Sequence, residues 1–394
     1  MKKIILTVIF AFFICTNIYA GQPKPPKVAA QGAILMDAKT GRVLWERNSK
    51  EPMAMASTTK IMTAIIALEN GNPGDIVTVS KKAASAPEVN MDLTAGEQLT
   101  LEALLYALML QSYNDSAVAI AEHIGGDVEG FCSLMSEKAV SLGAENTVFE
   151  TPNGLDAGDH HSTAYDMALI TQYALQNEKF MDIINTSHIT VQSDKRAYAL
   201  YNKNRLLTEY SGANGVKTGF TGKAGQCFVG AAKRDDMQLI SVVLASGWGD
   251  AGKEQKWIDT KRLLDYGFDN YKYTDIVKEG DICGTIDITR SKTPQISVAL
   301  EEGLNLPLTP DEAAHVKIQY SLPQTLMAPV EKGQAMGLCT VTINDEVKTT
   351  INLIAQNSAI RHDFQTSLKK VLKDWAQMGT EEEIPMESFD FLDW

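Results

Sequence analysis

Ser57 and Lys60 stand three residues apart in the stretch MASTTKIMTA, residues 55–64. On a helix, positions three apart share a face, so the lysine amine can approach the serine hydroxyl from the next turn. A serine becomes a nucleophile when a base within hydrogen-bond reach takes its proton. Lysine can be that base only when neutral, which requires burial or a neighbouring cation to depress its pKa. The start of a helix adds positive potential, which favours an alkoxide or a bound anion. The spacing alone says little, because S-x-x-K arises about once by chance in a chain this long at average residue usage. A second copy is indeed present, from Ser367 to Lys370 in SLKK.

Context separates the two. A nearby cation is available at Lys217-Thr218-Gly219, inside the strand-like GVKTGFT. Gly219 in a strand interior marks a place where a ligand comes close to the backbone. The other Lys-Thr-Gly, at 39–41, precedes the serine and lies in a turn. Between Ser57 and Lys217 falls QSYNDS, whose Ser112-x-Asn114 is the one S-x-N of the chain and sits between two expected helices. The order is therefore S-x-x-K at a helix start, S-x-N 55 residues later in a loop, and K-T-G a further 105 residues on in a strand. SLKK comes only in the C-terminal tail. In this order the Ser57–Lys60 pair, with a further cation at Lys217, suits nucleophilic catalysis by a serine with a lysine base.

The elements that must position these residues can be read from apolar periodicity. AILMDAKTGRVLWERN (33–48) reads as a hairpin around a turn rich in Asp and Gly. Residues 57–69 read as a helix stopped by Asn70 and Gly71. Further helices are expected over 94–111, 116–125 and 131–143, then strands after residue 200, then a helix over 257–268. Strand, helical block and strands in that order suit an antiparallel sheet with helices on its faces. From Tyr273 on, strand-like segments dominate, and 276–288 resembles 329–343, each with G-x-x-x-G before a strand. That weak repeat suits a small β-sandwich.

The ends of the chain differ from its middle. Lys2 and Lys3 precede a 12-residue apolar run, Ile4 to Cys15, and Ala20 offers a small residue for cleavage. This is the pattern of a secretory signal peptide, and the run is short for a bilayer span. GQPKPPK (21–27) is an extended proline-rich leader. Near the C-terminus Ile360, Phe364, Leu368, Val371, Leu372, Trp375 and Met378 make one apolar stripe beside basic residues. Such a helix suits a membrane interface, with packing on its own domain as the alternative. The acidic last 16 residues are expected to be disordered and repelled by anionic lipid.

With 394 residues, 44% of them hydrophobic and 22% charged, the chain is long enough for two or three domains. Its net charge of −13 argues against a nucleic-acid partner, since phosphates need basic surface. Removing the signal peptide would take the charge to −15 by loss of Lys2 and Lys3. Cys132, Cys227, Cys283 and Cys339 remain after that cleavage, with no C-x-x-C among them, so no metal site is expected. Cys283 and Cys339 could pair, although free thiols suit their scatter better.

The trio, together with NGLDAGDHHSTAYDMA (153–168), NKNRLL (202–207), NGVKTGFTGKAG (214–225) and LISVVLASG (239–247), resembles the low-molecular-mass penicillin-binding proteins. Specifically, the chain is similar to serine-type D-alanyl-D-alanine carboxypeptidases over nearly its whole length. The resemblance implies an α+β penicillin-binding/β-lactamase-like domain, an antiparallel sheet with a helical subdomain, followed by a small all-β sandwich. The expected organisation is a signal peptide (1–20), linker (21–30), catalytic domain (31–272), β-domain (273–358), amphipathic helix (359–378) and acidic tail (379–394). It implies export to the extracytoplasmic face of the bacterial cytoplasmic membrane, peptidoglycan stem peptides as substrate, β-lactams as covalent inhibitors, and no cofactor.

Residue by residue, the resemblance implies Ser57 as nucleophile, Lys60 as its base and Ser112 as proton relay. Asn114 would hold the substrate backbone, Lys217 would stabilise charge, and Thr218 would bind the terminal carboxylate. The N–H groups of Ser57 and of Phe220, directly after Gly219, would form the oxyanion hole. Two positions depart from the family pattern. Tyr113 stands where a glycine is usual, and GWGDAGKEQK after Ser246 lacks an arginine for the substrate carboxylate, leaving Lys253 or Lys256 as substitutes. His160 and His161 suggest a Ser-His pair, but their setting in DHHST reads as a structural loop. A β-lactamase would need an E-x-x-L-N stretch between Ser112 and Lys217, which is absent. A D,D-endopeptidase and a non-catalytic peptidoglycan-binding protein remain as rivals.

Overall fold

The structure is a computed structural model that describes residues 23–362, 368–369, 371–373 and 375–376. The expected signal peptide and acidic tail lie outside the described residues. The chain forms two compact units. The first runs to Tyr273 and also takes in Leu306–Asp311, while the second holds Thr274–Asn305 and resumes at Glu312. The return of Leu306–Asp311 has no signal in the sequence. Within the first unit, Arg42 donates a hydrogen bond to the Pro307 carbonyl.

In the first unit, β1 (Gly32–Asp37), β2 (Val43–Arg47), β3 (Ala213–Thr221), β4 (Gly225–Arg234) and β5 (Met237–Leu244) make an antiparallel sheet in the order β2-β1-β5-β4-β3. Side chains alternate between the faces of a strand. Ile34, Met36, Cys227, Val229, Ile240 and Val242 join one core. Ala33, Leu35, Phe228, Leu239 and Val243 join another. The sheet is thus covered on both faces, which is why its strands read as nearly unbroken apolar runs.

The first core is shared with α1 (Lys60–Asn70), α2 (Leu101–Tyr106), α3 (Asn114–Gly125), α4 (Val128–Ser141), α5 (Ala164–Ala174) and α6 (Glu178–Asn185). The second is closed by α7 (Gly249–Asn270), whose Trp257 meets Phe228 edge-on at 4.6 Å. This helix starts eight residues before the expected Trp257, because its first two turns are polar and carry no apolar stripe. The residues expected as a linker end tied down. Val28 and Ala30 are buried, and the Ala29 and Ala30 amides donate to the Asp259 carboxylate at 3.0 and 2.9 Å.

The helix expected over 94–111 is a correction. Thr94–Glu97 is a turn, closed by the Glu97 carboxylate accepting from Thr94 N and Oγ1, with Gly96 at φ +84°. A short strand, Gln98–Thr100, follows. Thr100 then caps α2 by accepting from the Ala103 amide. The last turn, Ala107–Gln111, is a π-helix that ends at Ser112 in the left-handed region, φ +67°. π-turns leave no mark on apolar periodicity and recur at functional sites.

The second unit is built mainly of β-strands. Its strands are β6 (Ile282–Thr289), β7 (Gln295–Leu300), β8 (Val316–Ser321), β9 (Thr325–Met327), β10 (Ala335–Ile343) and β11 (Glu346–Ala355). They form one sheet in the order β8-β10-β11-β7-β6-β9 around a core that includes Ile286, Val298, Val341 and Leu353. Cys132, Cys227, Cys283 and Cys339 are free thiols. The expected amphipathic helix does not begin at residue 359: Ala359 and Arg361 still form β-bridges with Val330 and Ser291. Of its stripe, Leu368, Val371, Leu372 and Trp375 are helical and exposed.

Candidate active site

The nucleophile segment is a single 3-10 turn, Ala56–Thr59, running into α1. Its conformation is held from within and from both flanks. Thr58 Oγ1 donates to Met55 O at 2.6 Å and Thr59 Oγ1 to Ala56 O at 2.8 Å. Ala56 itself has φ +49°, a conformation that costs an L-residue energy and needs surrounding support. That support includes Gly154, where an added Cβ would stand 2.0 Å from Ala56 O. On the other flank β3 presses in at Gly219, where a Cβ would come within 3.0 Å of Ser57 N and 3.1 Å of Thr58 N. The close approach at Gly219 is therefore made by the serine's own backbone. It brings the Ser57 amide beside the strand that carries Phe220.

Lys60 is fully buried. Its Nζ lies 3.0 Å from Ser57 Oγ, 2.8 Å from Asn114 Oδ1 and 2.6 Å from Asn153 O. Two of these neighbours are pure acceptors, and the serine hydroxyl is the one that can donate. In the structure Lys60 Nζ donates to all three, and Ser57 Oγ donates on to Asn153 O at 3.4 Å. A deprotonated Lys60 keeps two N–H bonds for the carbonyl oxygens and can turn its lone pair to the Ser57 hydroxyl. Burial, and next the charge of Lys217, hold the Lys60 pKa well below the ordinary lysine range. Lys203 adds to that effect, while Glu88 and Asp115 oppose it. Lys217 is lowered to about 7, by burial first and then by Lys203 and Lys256.

Ser112, Tyr113 and Asn114 form the break between the π-turn and α3. Asn114 faces two ways, accepting from Lys60 while donating through Nδ2 to Pro87 O at 2.9 Å and through its amide to Val89 O at 2.8 Å. Asp115 continues the docking by accepting from the Met91, Leu93 and Ser116 amides. Tyr113 is half-buried, and burial raises the pKa of its phenol.

On β3, Lys217 is buried and its Nζ donates to Thr218 O at 3.1 Å, while Phe220 is 49% exposed. Phe220 pairs across to Gln226 on β4, and Lys256 Nζ donates to Gln226 Oε1 at 2.6 Å. Thr218 and Phe220 share a face of the strand, so Lys256 stands on the Thr218 side. Lys253 instead pairs with Asp250 in solvent. The structure thus gathers Ser57, Lys60, Asn114, Lys217 and Gly219 into one linked cluster, with Ser112, Thr218 and Phe220 on the same segments.

Two contributors, Asn153 and Lys203, were not foreseen. Asn153 acts through its main-chain oxygen, which no side-chain motif reveals. Lys203 donates to Gln111 O at 3.0 Å, adjoining Ser112. Its signal in the sequence is the NKN triplet of residues 202–204. His160 is buried and bonded to Thr59, whereas His161 lies against Asp159, so neither histidine is bonded to Ser57.

A two-faced antiparallel sheet with a helical block, and a serine hydroxyl 3.0 Å from a fully buried lysine amine, are the features of an active-site-serine enzyme of the penicillin-recognising class. A family model for D-alanyl-D-alanine carboxypeptidase matches residues 19–247, and one for the C-terminal domain of penicillin-binding protein 5 matches 271–359. The chain belongs to the D-alanyl-D-alanine carboxypeptidase family and is a serine-type hydrolase of that activity. It is 31% identical to D-alanyl-D-alanine carboxypeptidase DacF of Bacillus subtilis, over 96% of this chain and 100% of that protein. With DacC of Escherichia coli the identity is also 31%, over 85% and 86%. Penicillin-binding protein 5 of Haemophilus influenzae superposes with a TM-score of 0.74 at 27% identity, covering 86% of this chain and all of that one.

Proposed function

We propose that Ser57 attacks the carbonyl between the two terminal D-alanines of a peptidoglycan stem peptide, with neutral Lys60 accepting its proton. The C–N bond then breaks, D-alanine departs with a proton relayed through Ser112, and an acyl-serine remains. Water hydrolyses this ester and frees Ser57. Asn114 orients the substrate backbone, and the Ser57 and Phe220 amides receive the oxyanion. Thr218 binds the terminal carboxylate, with Lys217 and Lys256 supplying positive charge. β-Lactams enter the same chemistry and acylate Ser57. The observation that carries this reading is the fully buried Lys60 amine 3.0 Å from the Ser57 hydroxyl, its pKa held well below the ordinary lysine range by burial and by the charge of Lys217. The test is D-alanine release from a peptide ending in D-Ala-D-Ala, with Ser57→Ala as control. Release by both proteins, or by neither, would sink it.

The membrane reading rests on the exposed apolar residues of the C-terminal helix. Leu368, Val371, Leu372 and Trp375 fit an interfacial helix on the extracytoplasmic face of the cytoplasmic membrane. Among the described residues no helix is long and apolar enough to cross a membrane. Sedimentation with anionic vesicles, with and without residues 359–394, tests the attachment. Equal sedimentation of both forms would exclude it.

A further inference from the structure

His160 is a buried imidazole that the chemistry above does not use. It belongs to a segment, residues 150–162, that wraps the nucleophile segment at several points. Thr63 Oγ1 donates to Pro152 O, Lys60 to Asn153 O, Gly154 backs Ala56 O, and Met53 pairs with Ser162. In those contacts the wrapping segment offers its main chain. His160 adds a side-chain strut. Its Nδ1 accepts from the Glu150 amide at 3.1 Å, so the ring proton resides on Nε2. Nε2 lies 2.9 Å from Thr59 Oγ1, and Thr59 Oγ1 donates onward to Ala56 O at 2.8 Å. The chain of bonds thus runs Glu150 N–H, His160, Thr59 hydroxyl, Ala56 carbonyl. It ends on the peptide unit between Ala56, held at φ +49°, and Ser57.

We propose that His160 is a positioning residue for acylation: through Thr59 it holds the left-handed Ala56 and so aims Ser57 Oγ and the Ser57 amide. Hydrogen-bonded hydroxyl and imidazole chains in a dry interior polarise one another and fix geometry. Small displacements of a nucleophile cost rate out of proportion to their size. The inference rests on Ser57 being the nucleophile, and acylation of the wild type by a fluorescent penicillin at Ser57 checks that separately.

The experiment measures penicillin acylation and D-alanine release for wild type, His160→Ala, His160→Gln, Thr59→Val and the double variant His160→Ala/Thr59→Val. Each single removal should lower kcat by about 10- to 100-fold with KM nearly unchanged, as expected when only transition-state geometry is lost. The double variant should fall little below the singles, because both break one chain. His160→Gln, whose Nε2 can donate to Thr59, should recover most of the rate. Losses that multiply, a loss confined to KM, or wild-type kcat in Thr59→Val would each overturn the proposal. If His160→Ala does not fold, Thr59→Val against His160→Gln still decides, since Thr59→Val cuts the chain without touching the wrapping segment.

Discussion

Asn114 Oδ1 accepts a hydrogen bond from Lys60 Nζ at 2.8 Å, so the second motif is bonded directly to the lysine of the first. A neutral amide leaves the amine free to lose its proton. A carboxylate there would hold the amine charged. Asn114→Asp should therefore slow penicillin acylation of Ser57 by about 100-fold, the scale of a lost general base. The acid limb of the pH profile should move to higher pH. An unchanged limb would show that Asn114 does not govern Lys60.

The charges around Lys60 give a paired prediction of opposite sign. Lys203 lowers its pKa and Glu88 raises it. In the proposed mechanism Lys60 works deprotonated, so activity should fall as pH drops through its pKa. Removing the cation in Lys203→Gln makes protonation easier and should shift the acid limb of kcat/KM up. Removing the anion in Glu88→Gln should shift it down. Profiles that move the same way would contradict the electrostatic account.

Lys256 and Lys253 can be told apart. Lys256 touches Gln226 beside the strand of Thr218, while Lys253 is paired with Asp250 in solvent. Lys256→Gln should raise KM for a D-Ala-D-Ala peptide with a free carboxylate by roughly tenfold, the loss of one charge-assisted contact. A C-terminal amide analogue should bind both forms equally. Lys253→Gln should behave as wild type. Equal effects from the two lysines would remove Lys256 from the carboxylate site.

His160 also predicts a pH dependence of stability. Burial, above all, lowers its pKa from 6.5 to about 4. The unfolded chain then binds the proton more readily than the folded one, so the stability present above pH 6.5 is lost as pH falls toward 4. The scale is on the order of 3 kcal/mol for such a shift. Denaturant midpoints of His160→Gln, which does not titrate, should fall less steeply than wild type between those pH values. Parallel curves would mean the imidazole charges freely in the fold.

The places of the three motifs in the fold were legible because each occupies a kind of position that sequence marks well. Ser57 and Lys60 sit at a helix start, Ser112 and Asn114 at a helix break, and Lys217 to Gly219 inside an apolar strand. The apolar run from Ala33 to Met36 likewise made the strand evident, though the alternation of Ile34 and Met36 with Ala33 and Leu35 between two cores required seeing both. What sequence hid was carried by main-chain atoms and by geometry without periodicity. Asn153 contributes a carbonyl, Ala56 a left-handed turn, and residues 107–111 a π-turn that apolar spacing reads as ordinary helix. The role of Gly219 was visible as a close approach, but the approaching partner was not.

The six residues Leu306–Asp311 have a consequence for how this protein can be divided. They lie in sequence inside the β-unit yet belong to the catalytic one, where Pro307 receives Arg42. A gene fragment ending at Tyr273 would thus omit part of the body it was meant to encode. The two units are not beads that recombination can exchange by one crossover. An excision that keeps this body whole carries the hexapeptide along with the residues up to Tyr273.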